Sequence, residues 1–188
     1  MKNIVVLASG SGTNAENIVR YFEESDLARV RAIITNSKNA GVIDKARKLG
    51  ISCTVFTNQE VENGTLQAKL EGLRCDLVVL AGFLRKIPSE LTKAFENRII
   101  NIHPALLPDY GGPGMYGKHV HQAVVENEEE VTGITIHYVN ENYDEGEIIF
   151  QEEVEIDFED SWEDVEYKVR ELEYKHYPSV IEYLLPNL

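Results

Sequence analysis

The sequence is poor in cysteine, in basic residues and in long apolar runs, and each shortage removes a class of protein. Two cysteines, Cys53 and Cys75, stand 22 positions apart with no paired motif and no histidine at zinc-finger spacing. A disulfide framework and a zinc module are therefore excluded, and two free thiols in a reducing compartment are expected. Lys and Arg number 18 against 32 Asp and Glu, a formal net charge of -14. Non-specific binding to nucleic acid or an anionic membrane needs a cationic surface that releases counterions, so neither is an expected partner. An anionic substrate must instead be held by a few local groups. The first apolar stretch, Ile4 to Ala8, has five residues, too few for a signal-peptide core or a membrane span, and a cytoplasmic location is expected.

What is present suits one ordinary domain. Apolar residues make up 43% of 188 positions, and a chain of ~150 residues already hides roughly two thirds of its unfolded surface. No repeat, linker or change of composition divides it, so a single domain over 1–188 is expected. Short β-branched or apolar runs at Ile4–Ala8, Val30–Thr35, Ser52–Phe56, Leu77–Ala81 and Ile99–Ile102 alternate with helical periods at Asn14–Glu24, Ala40–Leu49, Gln59–Leu73 and Pro88–Phe95. That alternation predicts βαβ units, hence an α/β fold with a parallel sheet covered on both faces. Thr13 or Asn14 is placed to cap the first helix, Gly50 to follow the second, and Pro88 to begin the fourth.

After Ile102 the rhythm changes. His103 to Gly117 holds Pro104, Pro108, Pro113 and four glycines, a composition and length that in a compact domain marks a functional loop. A short helix at Lys118–Glu126, strands at Gly133–Val139 and Glu147–Val154, and a last helix from Ser161 to Tyr183 complete the pattern.

Three segments carry chemistry. Ser9-Gly10-Ser11-Gly12-Thr13-Asn14-Ala15 follows the first strand and opens the first helix, where small residues let backbone N–H groups approach an anion at the positive end of the helix. Gly10, Gly12 and Ala15 also fit a dinucleotide fingerprint, but the second strand ends Thr35-Asn36-Ser37-Lys38 with no carboxylate to hold a ribose, which favours the phosphate of a smaller ligand. Asn101-Ile102-His103-Pro104 ends the fifth strand, at the carboxyl edge where open α/β sheets bind ligands. Strand alternation places Asn101 and His103 on one face, an amide donor beside a group that moves protons near neutral pH. The acidic turn Asn140 to Gly146 joins the last two strands. No histidine, cysteine or carboxylate cluster has metal-ligand spacing, and no metal is expected. His119 and His121 are expected at the surface, with contact to substrate or lid as the alternative, and His176 in a structural role, while His137 faces either the core or the site.

Taken together, Ser9-Gly10-Ser11-Gly12-Thr13-Asn14, Leu80-Ala81-Gly82-Phe83-Leu84-Arg85, Asn101-Ile102-His103-Pro104-Ala105-Leu106-Leu107-Pro108, Gly133 to Val139, Asp144-Glu145-Gly146 and Ile148-Ile149-Phe150-Gln151 resemble the phosphoribosylglycinamide formyltransferase family, in order over nearly the whole chain. The resemblance implies a Rossmann-like, doubly wound first half (1–100) that binds phosphate, continuing into a mixed, mostly parallel seven-stranded sheet whose second half (101–188) carries catalysis and folate binding. It implies transfer of a formyl group from 10-formyltetrahydrofolate to the amine of glycinamide ribonucleotide, in a monomer or homodimer.

Carried over by position, the catalytic trio falls on Asn101, His103 and Asp144, with His103 protonated and kept so by Asp144. The phosphate cradle falls on Ser11, Gly12, Thr13 and Asn14, and the ribose acceptor on Glu173. The pterin pocket falls on Phe83, Leu84, Arg85 and Ile87 with Asn101 and Asp144. The loop from Asp109 to His119 is longer and richer in glycine than in the best-known bacterial members, and is read as a variant lid. Related enzymes act on methionyl-tRNA or amino-sugar nucleotides. The acidic charge and the length, with no expected further domain, favour the ribonucleotide, and the phosphate loop disfavours a sugar acceptor. A non-catalytic nucleotide- or folate-binding module is disfavoured by the intact trio.

Overall fold

Ile4-Val5-Val6-Leu7 has no polar residue to turn toward water, and the fold buries both of its faces at the centre of a sheet. The computed structural model describes all 188 residues. Seven strands, β1 (Lys2–Leu7), β2 (Ala28–Thr35), β3 (Cys53–Val55), β4 (Leu77–Leu80), β5 (Ile99–His103), β6 (Val131–Tyr138) and β7 (Ile148–Glu155), lie in the order β3-β2-β1-β4-β5-β6-β7. β1 to β5 pair in parallel, whereas β6 is antiparallel to both β5 and β7. The expected mixed, mostly parallel sheet is thus observed, and the strand order reverses between β1 and β4. Such a reversal opens a crevice beyond the carboxyl ends of the strands.

Alternation sorts the strand residues between two apolar layers. Ile4, Val6, Leu77, Val79, Ile100 and Ile102 enter a layer of 28 buried residues closed by α1 (Thr13–Tyr21), α2 (Val42–Lys48), α6 (Lys118–Glu126) and α7 (Trp162–Leu184). Val5, Leu7, Val78, Leu80 and Ile99 enter a layer of 15 under α3 (Asn58–Glu62), α4 (Thr65–Gly72) and α5 (Ser89–Ala94). Each such side chain contributes about 1.5–3 kcal/mol on burial. No helix is long and apolar enough to cross a membrane.

Several element boundaries differ from the sequence expectation. The single helix expected over Gln59–Leu73 is two, because Asn63 ends α3 and Gly64, at φ +88°, turns the chain into α4. Its true start is set by a capping box between Thr57 and Glu60. Pro88 precedes α5 as its cap, with ψ 146°, instead of opening the helix. Neither Thr13 nor Asn14 caps α1; Gly12 occupies that position with φ +73° and no side-chain hydrogen bond. Ser161 and Asp164 form the capping box of α7. Pro178 lies inside α7, so the Tyr174 carbonyl loses its helical donor. Asn17 Nδ2 of α1 donates to that carbonyl at 2.9 Å.

Candidate active site

The crevice at the strand reversal is a cleft of about 440 Å³. One end is the start of α1. Gly12 must be glycine there, since a Cβ would come within 2.3 Å of the Val42 side chain and the backbone is left-handed. With no side-chain cap, the first N–H groups of α1 are free to meet an anion, and Ser11 to Asn14 line the cleft. Arg170 and Glu173, one turn apart on α7, line the same end. Asn14 Nδ2 donates to Glu173 Oε2 at 2.8 Å. Burial pushes the Glu173 carboxyl up to about 7 against the opposing pull of Asn14 and Arg170.

At the other end the β5–β6 register brings four polar side chains together. Asn101 pairs with His137 and His103 with Thr135, all on the face opposite Ile100, Ile102, Ile134 and Ile136. His137 Nδ1–H donates to the Tyr138 carbonyl at 2.8 Å, which leaves Nε2 as the acceptor for Asn101 Nδ2 at 3.2 Å. One Asn101 hydrogen is thereby occupied and the other is free for a ligand. His103 Nε2–H donates to the Tyr110 carbonyl at 2.7 Å, so Nδ1 faces Asp144 Oδ2, 3.7 Å away. Asp144 Oδ1 lies 3.6 Å from His137 Nε2, and Asp144 Oδ2 accepts from the Gly112 N–H at 2.9 Å.

The two charge partners shift in the same direction for different reasons. Burial lowers the His103 pKa and outweighs the neighbouring Asp144 carboxylate. The Asp144 charge acts in the expected direction, toward the protonated ring, and burial opposes it in the free protein. For Asp144, burial acts upward, but the His137 ring, the His103 charge and the Gly112 N–H together bring it below the usual carboxylate range. The turn after β5 is held from behind. Thr135 Oγ1 donates to the Ala105 carbonyl at 2.7 Å and accepts from the Leu107 N–H at 2.9 Å. Gln151 Nε2 donates to Thr135 Oγ1 at 2.8 Å.

Between the two ends, the loop after β4 supplies Phe83, Leu84, Arg85 and Ile87 to the wall. Phe83 and Ile87 are also buried in the smaller apolar layer, while Leu84 is half exposed. Ser9 ties this loop to the start of α1: its hydroxyl accepts from the Leu84 N–H at 2.9 Å. Met115 and Tyr116 of the glycine-rich loop also line the cleft.

The sequence pattern of the Formyl transferase family matches residues 2–181. This chain belongs to the formyl transferase family. A Bacillus subtilis protein named phosphoribosylglycinamide formyltransferase is 40% identical over 191 residues, 98% of this chain and 95% of its own length. A chloroplastic protein of that name from Arabidopsis thaliana is 40% identical over 187 residues, and the chain spans 64% of its length. The crystal structure of phosphoribosylglycinamide formyltransferase from Streptococcus pneumoniae TIGR4 superposes with a TM-score of 0.87 at 32% identity, covering 98% of this chain and 99% of that one.

Within this formyl transferase fold, all twelve residues to which the resemblance gave a catalytic, phosphate, ribose or folate role line the same cleft. Arg170, His137 and His121, to which no role was given, line it too. Arg170 was legible, being one helical turn before Glu173 on α7. His137 needed the β5–β6 register. His121, expected at the surface, is 3% exposed and turned inward on α6.

Proposed function

We propose that the protein transfers the formyl group of 10-formyltetrahydrofolate to the amine of glycinamide ribonucleotide, the step of purine synthesis that releases formylglycinamide ribonucleotide and tetrahydrofolate, and does so in the cytoplasm. The observation that carries this reading is the distribution of groups along one cleft: an uncapped helix start with Arg170 and Glu173 at one end, and Asn101, His103, His137 and Asp144 at the other. Phosphate sits on the backbone of Ser11 to Asn14 beside Arg170, and Glu173 accepts from the ribose hydroxyls. The folate pterin lies against Phe83, Leu84, Arg85 and Ile87, reaching Asn101 and Asp144.

The amine attacks the formyl carbon, and the new C–N bond turns the carbonyl oxygen into an oxyanion. The free hydrogen of Asn101 Nδ2 donates to that oxygen, with His137 holding the amide in orientation. Losing one such donor costs ~10²–10³ in rate. His103 Nδ1, unprotonated at the outset, takes a proton from the attacking amine. The imidazolium so formed lies between Asp144 and the oxyanion. The proton then passes to the folate nitrogen as its bond to the formyl carbon breaks, general acid–base work worth roughly 10²–10⁴.

The test is a spectrophotometric assay of purified protein with both substrates, following tetrahydrofolate release. Turnover that requires glycinamide ribonucleotide supports the proposal. Equal turnover without it identifies a deformylase and overturns the acceptor assignment.

A further inference from the structure

α6 carries two histidines in opposite surroundings. His119 is exposed, its ring edge-on to Tyr116 at 5.3 Å between centroids. His121 shares the inward face with Val120 and Val124 and lines the cleft. No protein group hydrogen-bonds its ring, and Nδ1 is sealed from solvent without a partner. Buried polar atoms are ordinarily satisfied, and none of the steps above uses this imidazole.

Burial pushes His121 down to about 4, with the positive charges of His103 and Arg170 acting the same way. The ring is neutral at pH 7, with one N–H and one lone pair. An orphaned, sealed N–H is the rarer and costlier arrangement, so the hydrogen resides on Nε2, the nitrogen that is not sealed. His121 thus offers the cleft an uncharged donor, flanked by Arg170 of the phosphate end and His103 of the reacting end. A ligand that spans both ends passes it.

We propose that His121 Nε2–H reads the uncharged middle of the acceptor, donating to the amide carbonyl oxygen that lies between the ribose and the reacting amine. This rests on the ribonucleotide reading of the cleft. A neutral donor suits a neutral oxygen, since a phosphate partner would draw a proton onto the ring, and the ribose hydroxyls already have Glu173. The contact makes His121 a specificity determinant: it separates glycinamide ribonucleotide from sugar phosphates that share the other contacts.

The experiment measures binding of glycinamide ribonucleotide and of ribose 5-phosphate to wild type and to His121→Phe, His121→Asn and His121→Gln. A glutamine amide reaches the place of Nε2, and an asparagine amide only that of Nδ1. Phe and Asn variants are expected to weaken glycinamide ribonucleotide about tenfold, the effect of one lost hydrogen bond, and to leave ribose 5-phosphate within about twofold. The Gln variant is expected to recover most of the loss. Equal losses for both ligands, or no loss for either Phe or Asn, overturn the proposal. If Phe does not fold, the Asn and Gln pair decides. Nitrogen-15 spectra showing His121 protonated in the complex also overturn it. Failure of wild type to bind glycinamide ribonucleotide overturns the functional reading itself, whereas a failure confined to the variant series overturns only the role of His121.

Discussion

The two halves of the sheet bury different things. Of the seven buried polar residues, Thr35 and Thr92 lie in the first half, and His103, His121, Thr132, Thr135 and His137 lie in the second. The first half is close-packed aliphatic strand and turns the uncapped N–H groups of α1 toward the cleft. The second brings side chains with hydrogen-bonding demands into the interior and satisfies those of His103, Thr135 and His137 from β5, β6, β7 and the loop after β5. On the proposed function, the difference teaches that phosphate binding rests on chain path and catalysis on side-chain identity. Mutations in the phosphate loop should act through shape and affinity, those at Asn101, His103 and Asp144 through rate.

The sharpest test of that division is at His103 and Asp144. His103→Ala and Asp144→Asn should each lower kcat by about 10²–10⁴, with the Kd for glycinamide ribonucleotide within a few fold, as measured by steady-state kinetics beside equilibrium binding. Gly12→Ala should do the reverse. Its Cβ meets Val42 in a left-handed backbone, so ribonucleotide affinity should fall at least about tenfold while kcat at saturation is largely kept, at a stability cost of ~1–3 kcal/mol. A kcat loss in Gly12→Ala as deep as that in His103→Ala would break the comparison.

Glu173 sits on the boundary and gives a pH signature. Its pKa is raised to about 7 in the fold, above the ordinary ~4.3 of an unfolded chain. On the proposed function, ionised Glu173 accepts from the ribose hydroxyls, so ribonucleotide affinity should rise as pH passes from 6 to 8, and Glu173→Gln should be weaker and flat. Stability runs the other way. A raised folded pKa contributes stability that is full below ~4.3 and lost as pH climbs through about 7. Glu173→Gln should therefore melt higher than wild type at pH 8, by on the order of 1–3 kcal/mol, and equally at pH 4. The smallest rate effect is expected from Thr135→Val, which leaves the Leu107 N–H and Ala105 carbonyl without their partner. Thermal unfolding should show a loss of ~1–3 kcal/mol, and kcat should fall less than in Asn101→Ala.

Much of this arrangement was legible in the residues. Period-two alternation put Asn101 and His103 on one face, and the small residues from Ser9 to Ala15 marked the tight turn from β1 into an uncapped α1. The Asn63-Gly64 break was visible as a turn signal but lay within an otherwise helical period. What could not be read depends on long-range register. Asn14 meets Glu173 across 159 positions, and His137 meets Asn101 only because β6 turns back against β5 with one particular alignment. The inward turn of His121 is hidden for a simpler reason: Lys118-His119-Val120-His121 is too short and too mixed to show which side of a helix faces in.

Pro178 gives α7 an index mark. The proline leaves one carbonyl of the helix, that of Tyr174, addressable from outside, and Asn17 addresses it. Three positions earlier on α1, Asn14 addresses Glu173, the neighbour of Tyr174. A last helix slid or rotated by one residue would present a sealed carbonyl to Asn17 and carry Glu173 off the cleft. The apparent flaw in α7 thus works as a notch that sets its phase against α1, and a graft of this helix into another scaffold would need Asn17 and Pro178 moved together.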